Sequence, residues 1–340
     1  MAKTREIICD FQPYIDGPPP GVSQQTLYGQ ACSNDSDTVK NWRKIWLKNV
    51  TENAKRFGPF RDKGIGQLHG THRNLPAVVI GSGPSLQENA AGLLELPAGI
   101  PVVSCLHNFH FLEDLGVRVD YYVSLDAGEV TIEEVSEGGA KTPEEYWALT
   151  KDRTLLCYVG SDPGLIERWQ GKVYFFNCRI PDESLNAELN KVEKFNTVVS
   201  SGGNVLGAAA YIAKAIFGCN PLVFLGADFS FSYKHKFHGW DSKYDKDIGQ
   251  CVRMTDVFGN SVLSWQSYAN FKSWFDWLTM AVPGTYINCT EGGTFGAYPG
   301  GNIKSVKQMA LKDFIVMQSL CDRVAEVCKN PETDTVTILF

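Results

Sequence analysis

The stretch VVIGSGPSLQENAAGLLEL, residues 78–96, decides the fold class of this chain. An apolar run enters a Gly-x-Gly turn, and a helical pattern of apolar residues leaves it. Gly81 and Gly83 allow a sharp turn and a close approach of the backbone to a ligand. Ser85 and Glu88 have the spacing of a capping box, which predicts that a helix begins at Ser85 and presents its first-turn N–H groups to an anion.

The turn matches neither of the two standard phosphate-binding motifs. The dinucleotide fingerprint needs a third glycine, but Leu86 stands at that position. The phosphate loop GxxxxGK[ST] needs a lysine, and no lysine follows this turn. The stretch alone is therefore equally consistent with a phosphate site and with a strand–helix corner that binds nothing.

Apolar runs of the same kind recur along the chain and alternate with helical patterns. They are PAVVIG, IPVVSCL, VDYYVSLD, RTLLCYVG, KVYFFNC, PLVFLGAD and TYINCT. Nearly continuous Val, Ile and Leu between helices is typical of parallel strands that are buried on both faces. We therefore predict an α/β fold, a Rossmann-like doubly wound and mostly parallel sheet with helices on both faces.

The predicted sheet lies between two flanking regions. Residues 1–74 form an N-terminal arm with an apolar helical stripe over 37–57, residues 75–300 form the sheet domain, and residues 301–340 form a C-terminal helix and tail. The aromatic helix at 265–277 suits packing in the core or between two copies, so a homo-oligomer is one expectation.

Composition limits the classes of partner. The formal net charge of −6 argues against a nucleic-acid binder and leaves room for an anionic small ligand. No apolar run reaches the about 18 residues of a membrane span. The ten cysteines are scattered, mostly in apolar runs, which indicates reduced core residues and a cytoplasmic protein. The six histidines fall in H-x-x-H pairs without other ligand spacing, so we predict no metal site.

Ligands of such sheets bind at the carboxyl ends of the strands, and a second glycine turn follows one of them. In VVSSGGNVLG, these candidate residues precede a helix rich in Ala and Gly: Ser200, Ser201, Gly202, Gly203 and Asn204. The turn suits an anion or a ribose. The alternative is structural, because small residues let the helix pack closely on the sheet; both readings can hold together.

Four single residues at other strand ends complete the set of candidates. Asp228 can hold a ribose hydroxyl, an acceptor or a metal, or it can cap a turn. His238, in the same loop, can be a general base or a surface histidine. Asn108 can cap the next helix or bond a base or sugar. Asp126 ends a further strand.

Three segments, in this order, carry a resemblance: VVIGSGPSL, LGVRVDYYVSLD and SSGGNVLGAAAYIAKAIFGCNPLVFLGADFSF. They resemble the MptE-like family, which is named for an archaeal 6-hydroxymethylpterin diphosphokinase and includes the bacterial Maf flagellin-glycosylation proteins. They are also similar to the bacterial CMP-sialic acid sialyltransferases. The resemblance covers roughly residues 40 to 300.

The resemblance to the sialyltransferases implies a role for each candidate. The G-x-G-P-S-L turn would hold the phosphate and nucleotide of the donor through Gly81, Ser82, Gly83, Pro84 and Ser85. Asn108 would contact the nucleotide, and Ser201 and Gly202 match the S-G turn. Asp228 would hold the ribose or base, and His238 is the candidate general base. The donor would be a substrate, with no tightly bound cofactor.

The resemblance leaves three functions open. The first is a glycosyltransferase with a CMP-nonulosonate-like donor and a sugar or protein acceptor. The second is diphosphate transfer from Mg-ATP to a pterin, which needs clustered carboxylates. Ser124 replaces an acidic residue of that branch, while Asp120, Asp126 and Asp228 remain. The third is a non-catalytic nucleotide-binding or interaction module. The first is our leading expectation.

Overall fold

The computed structural model describes residues 14–18, 21–32, 35–180, 182–192, 197–231 and 251–329. The strands in this part are β1 (Tyr14–Ile15), β2 (Ala77–Ile80), β3 (Val102–Cys105), β4 (Tyr121–Ser124), β5 (Thr154–Tyr158), β6 (Lys172–Cys178), β7 (Val198–Val199), β8 (Leu222–Leu225), β9 (Cys251–Thr255), β10 (Ser261–Trp265), β11 (Tyr286–Asn288), β12 (Ala297–Tyr298), β13 (Gly301–Ile303) and β14 (Lys307–Gln308).

The α-helices in the described ranges are α1 (Gln24–Ala31), α2 (Asp35–Phe57), α3 (Leu86–Asn89), α4 (Phe109–Leu115), α5 (Val130–Ser136), α6 (Pro143–Leu149), α7 (Pro163–Arg168), α8 (Glu183–Val192), α9 (Val205–Tyr211), α10 (Gln266–Ala281) and α11 (Leu311–Lys329). A π-helix over Ile212–Ile216 continues α9. None of the helices described is both long and apolar enough to cross a membrane.

A nine-stranded sheet forms the core, in the order β14-β11-β8-β2-β3-β4-β5-β6-β7. All its neighbouring strands run parallel. The seven predicted strands are its inner members, and the α/β, doubly wound architecture is confirmed. The two edge strands, β7 and β14, have two residues each. Such short strands carry no readable periodicity, which is why sequence reasoning missed them.

Burial explains why the inner strands read as continuous apolar runs. Every residue of β2, β3 and β8 is buried. These strands have neighbours on both sides and packed helices on their faces, so no face remains for polar residues. Helix α2 is joined to the sheet by two asparagines. The Nδ2 atoms of Asn49 and Asn53 donate to backbone carbonyl groups that follow β4 and β5, at 2.9–3.1 Å.

The position of β8 decides where the strand ends meet. From β2 the chain builds the sheet outward through β3, β4, β5, β6 and β7, and it then returns to place β8 on the other side of β2. This reversal is the topological switch point, where open α/β sheets bind ligands. The loops after β2 and β8 therefore lie next to each other.

The predicted helix over residues 86–96 is shorter and less regular than expected. Helix α3 ends at Asn89, and a 3₁₀ helix covers Ala90–Glu95. The capping box predicted at Ser85 and Glu88 is wrong, because Ser85 makes no side-chain cap hydrogen bond. Its hydroxyl is directed to Asp228 instead.

Candidate functional site

Two cavities open at the carboxyl edge of the sheet. The first, about 700 Å³, is bordered by Ser82, Gly83 and Pro84 and by an acidic wall, and we call it the acidic cavity. The second, about 520 Å³, is bordered by aromatic rings, and we call it the aromatic cavity. Both volumes lie in the range of small-molecule sites in proteins.

Most predicted residues border one of these cavities. The acidic cavity is bordered by Ser82, Gly83, Pro84, Asp126, Asn204 and Asp228. The aromatic cavity is bordered by Asp126, Ser200, Ser201, Gly202 and Gly203. The two glycine turns were expected at the carboxyl edge of the sheet, and there most of the second turn borders a cavity separate from that of the first. Asp126 is the one residue, within the described ranges, that borders both.

The turn after β2 and the loop after β8 form one hydrogen-bonded unit. The Ser85 hydroxyl donates to Oδ2 of Asp228 at 2.7 Å, and the Ser85 N–H donates to Oδ1 at 3.3 Å. The N–H of Gly83 donates to the Gly226 carbonyl at 2.8 Å. Asp228 is 5% exposed. This carboxylate thus joins the two loops while also bordering the acidic cavity.

The glycines of the turn serve this close packing. A Cβ atom on Gly83 would lie 1.9 Å from Oδ2 of Asp228, and one on Gly81 would lie 2.6 Å from the Gly226 carbonyl oxygen. Real Cβ contacts are never this short, so a side chain at Gly83 would displace Asp228. Substitution of either glycine therefore perturbs packing as well as any ligand contact.

The turn offers fewer free amides than the sequence suggested. The N–H groups of Gly81, Gly83, Ser85 and Leu86 all donate to oxygen atoms of the protein. An anion at this turn would compete with existing hydrogen bonds for these donors. The expectation of free first-turn N–H groups after β2 is therefore wrong for Leu86 and Glu88, which donate to the carbonyl groups of Gly83 and Ser85.

The electrostatics of Asp228 follow from its burial. Burial raises the pKa of Asp228 to about 7, against the lowering effect of the hydrogen bonds from Ser85. The carboxyl group therefore changes its charge near neutral pH. A group of this kind can accept a hydroxyl hydrogen bond when ionised and donate one when protonated.

Asn108 lies behind the turn and borders neither cavity. Its side chain is fully buried, and Nδ2 donates to the Gly81 carbonyl at 3.2 Å and to the Ser104 hydroxyl at 3.0 Å. It makes no side-chain helix cap. The contacts that the structure shows are those of a residue that positions the turn, and the nucleotide contact expected for Asn108 stays a prediction.

The second glycine turn is shaped by packing and by a helix cap. Gly202 has φ +59° and Gly203 φ +78°, and a Cβ on Gly202 would meet the Trp274 ring at 2.4 Å. Asn204 Oδ1 accepts the N–H of Gly207 at 2.8 Å and caps α9. The small residues of α9 are buried, and the helix packs against β2, β3 and β4, as the structural reading of this turn expects. The ligand reading stays a prediction.

The acidic wall was missed from the sequence. Helix α5 and the residue after it contribute Glu133, Glu134 and Glu137, and Oε1 of Glu134 lies 3.2 Å from Nδ1 of His107. His110 also borders the cavity, and burial lowers its pKa to about 4. The sequence shows that this segment is acidic. It does not show that α5 packs at the strand ends, and the wall was missed for that reason.

Asp126 follows the end of β4 and is exposed where it borders the two cavities. Desolvation of its carboxyl group by the surrounding protein raises its pKa to about 6, nearby Glu134 acts in the same direction, and His107 opposes both. Within the described ranges, no group of three or more His, Cys, Asp and Glu side chains is arranged to hold a metal ion. His238 lies outside the described residues.

A search of solved structures finds likenesses to this chain that bear on the fold. The Maf glycosyltransferase from Magnetospirillum magneticum AMB-1 superposes with a TM-score of 0.53 at 17% identity. The match covers 79% of this chain and 42% of that one, so the chain spans less than half the length of that protein. At this identity the likeness concerns the fold.

The comparisons of sequence give one family. A search of curated proteins finds no match. The family model described as 6-hydroxymethylpterin diphosphokinase MptE-like matches residues 45–234, which is more than half of the chain. The match begins inside α2 and includes both glycine turns and the loop of Asp228. The chain therefore belongs to the MptE-like family.

Proposed function

We propose that this protein is a glycosyltransferase-like enzyme that uses a nucleotide-activated sugar of the CMP-nonulosonate kind. One observation carries the proposal. At the topological switch point, the turn after β2, the loop of Asp228 and the start of α9 border one cavity of about 700 Å³. This is the position and the size expected of a nucleotide-sugar site in an open α/β sheet.

The start of α9 supplies the best donors for a phosphate group. Val205 and Leu206 border the acidic cavity at the first turn of the helix. First-turn N–H groups have no intrahelical partner, and the helix dipole favours an anion there. The side chain of Asn204 already accepts the N–H of Gly207, so the N–H groups of Val205 and Leu206 are the ones that a phosphate group would use.

Asp228 and Ser82 would orient the nucleoside. Ionised Asp228 accepts a ribose hydroxyl hydrogen bond, while Ser85 holds the carboxylate in place from the other side. Ser82 is half-buried at the cavity edge and can donate to a phosphate or sugar oxygen. The resemblance implies a general base at His238, which lies outside the described residues, and the binding proposal assigns no base.

A second function is favoured by the charge of the cavity. Its wall holds five carboxylates: Asp126, Glu133, Glu134, Glu137 and Asp228. The described residues that border it include no lysine and no arginine. Mg²⁺ is bound in many phosphate sites by one or two carboxylates together with the phosphates themselves. Diphosphate transfer from Mg-ATP to a pterin is therefore the alternative proposal.

Thermal shift with CMP, CTP, ATP and UDP, each with and without Mg²⁺, separates the two functions. A ligand at about 100 times its Kd stabilises the native state by about 2.7 kcal/mol. CMP stabilisation without metal supports the glycosyltransferase. Stabilisation by ATP that requires Mg²⁺ refutes it in favour of the diphosphokinase. The absence of a thermal shift with all four nucleotides contradicts both functions and favours a non-catalytic module.

A pair of variants locates the binding. Ser82→Tyr places a ring at the edge of the acidic cavity and should abolish the nucleotide shift. Ser184→Tyr makes the same change on the exposed side of α8, away from that cavity, and should leave the shift intact. Equal shifts in the two variants would place the nucleotide elsewhere.

A further inference from the structure

The aromatic cavity has the walls of a ring-binding site. Its aromatic residues come from α1, α2, β5 and α10: Tyr28, Trp42, Trp46, Tyr158 and Trp274. Trp42 and Trp46 are one turn apart on α2 and only half-buried. The ring of Trp46 meets that of Tyr158 edge to face at a centroid distance of 6.1 Å. Trp46 and Tyr158 thus support each other in the wall of the cavity.

Polar groups surround the rings on the side of α8. Arg179 is exposed at the cavity, next to Asp182 and Asn186. Asp182 caps the start of α8 and pairs with Arg43 at 3.2 Å, while Asn186 donates to the Ile180 carbonyl at 2.6 Å. The cavity therefore combines fixed ring faces with several hydrogen-bonding groups at its margin.

This combination suits a carbohydrate ring. One face of a pyranose carries C–H groups that pack on an indole or phenol ring, and its equatorial hydroxyls reach donors and acceptors at the margin. A wholly apolar ligand would make no use of the exposed Arg179 at the cavity margin. The nucleotide is assigned to the other cavity because the turn after β2 and the start of α9 border the acidic cavity and not this one.

Asp126 lies at the junction of the two cavities. It follows β4, and its loop is anchored by Asn49, whose Nδ2 donates to the Ala127 carbonyl at 2.9 Å. Asn49 is 4% exposed, so this anchor is part of the packed interior. The backbone next to Asp126 is therefore fixed, and its carboxylate borders the space where a ligand in one cavity would meet a ligand in the other.

We propose that the aromatic cavity binds the sugar acceptor and that Asp126 accepts the proton of its attacking hydroxyl. The inference rests on the proposed function. The acceptor oxygen forms a bond to the anomeric carbon of the donor, and the bond from that carbon to the phosphate oxygen breaks. The electron pair leaves with CMP, and the hydroxyl proton passes to the Asp126 carboxylate.

The surroundings of Asp126 are compatible with this role. Glu134 and His107 face it from the acidic cavity, and Arg179, Asp182 and Glu183 share the aromatic cavity with it. With a pKa of about 6, the carboxyl is mostly ionised at neutral pH, yet it is a stronger base than an ordinary aspartate. The transfer rate should therefore fall as the pH drops through 6.

Sugar binding tests the aromatic cavity by itself. Saturation-transfer NMR with methyl galactoside and methyl N-acetylglucosaminide should show contact of the ring protons with the full-length protein. Trp42→Ala should weaken binding at least about tenfold, the loss of about 1.4 kcal/mol. Trp147→Ala removes an indole that borders neither cavity and should change nothing. No transfer to either sugar, or equal transfer in both variants, would overturn the assignment.

Release of CMP from CMP-N-acetylneuraminate, with and without these sugars, tests Asp126. Asp126→Asn should lower the rate at least about 100-fold, within the range of general-base catalysis, and keep the thermal shift with CMP. Asp126→Glu should recover part of the rate with an altered pH profile. An unchanged rate in Asp126→Asn, or loss of its CMP shift, would overturn the role as a base.

The outcomes separate this inference from the function on which it rests. If the wild-type protein neither binds CMP nor releases it, the donor assignment and the role of Asp126 fall together. The NMR experiment would still decide by itself whether the aromatic cavity binds a sugar. If Trp42→Ala abolishes the CMP shift, the aromatic cavity belongs to the nucleotide and the acceptor assignment is refuted.

Discussion

Replacing Asp228 by asparagine isolates the electrostatics of the candidate site. The substitution Asp228→Asn would keep the size of the side chain and both hydrogen bonds. The amide oxygen can accept the Ser85 N–H, and the amide nitrogen can donate to the Ser85 hydroxyl, which now donates to the carboxylate at 2.7 Å. The variant therefore resembles the protonated form of Asp228 and removes only its titration.

The size and sign of the effect follow from the pKa of Asp228, which burial raises from an ordinary 3.8 to about 7. This difference corresponds to about 4 kcal/mol. Because the folded protein holds the proton more tightly than the unfolded chain, the contribution to stability is complete below 3.8. This contribution is lost as the pH rises to about 7. The folded protein is therefore less stable with Asp228 ionised than with Asp228 protonated.

Urea unfolding of the two proteins across this window gives the measurement. The free energy of unfolding of the variant minus that of the wild type should rise by about 2.5 kcal/mol between about pH 5 and about pH 8. Asp152→Asn, an exposed carboxylate that borders neither cavity, serves as the control and should show no such trend. A difference between Asp228→Asn and wild type that stays constant with pH would refute the argument.

Three further substitutions test contacts in the protein interior by their urea midpoints. Gly83→Ala should cost about 1–3 kcal/mol, because its Cβ would lie 1.9 Å from Asp228 Oδ2; an unchanged midpoint would contradict this contact. Asn53→Ala should cost about 2–4 kcal/mol, since two buried carbonyl groups lose their donors, and a loss under about 1 kcal/mol would mean that α2 is not docked this way. Lys272→Met should cost about 3–5 kcal/mol by leaving buried Asp276 without its cation; a neutral result would show that the pair is dispensable.

Much of the fold could be predicted from local patterns. Seven strands and the parallel α/β class follow from apolar runs that alternate with helices, since a strand with neighbours on both sides and helices on both faces has no place for polar residues. The edge strands and the hairpin of β9 and β10 could not be found in this way. Two-residue strands show no pattern, and the hairpin belongs to a separate two-stranded sheet.

The site was predicted in outline and incorrectly in detail. The glycine turns and Asp228 do lie at the carboxyl edge, and both glycine turns do border cavities. The capping box and the free amides after β2 were wrong, because Ser85 and its neighbours bond to the loop after β8 instead. A local rule could not foresee a partner that is 143 residues away in the chain.

The sequence by itself determined which residues would stand at strand ends, because alternation of strands and helices is a local property of side-chain burial. Only the tertiary structure decided which of these ends are neighbours. The return of the chain to place β8 beside β2 brings Asp228 against Gly83 and Ser85, and the docking of α2 and α5 divides the remaining space into two cavities that meet at Asp126. These contacts depend on the order of strands and on long-range packing, and no short stretch of sequence encodes either.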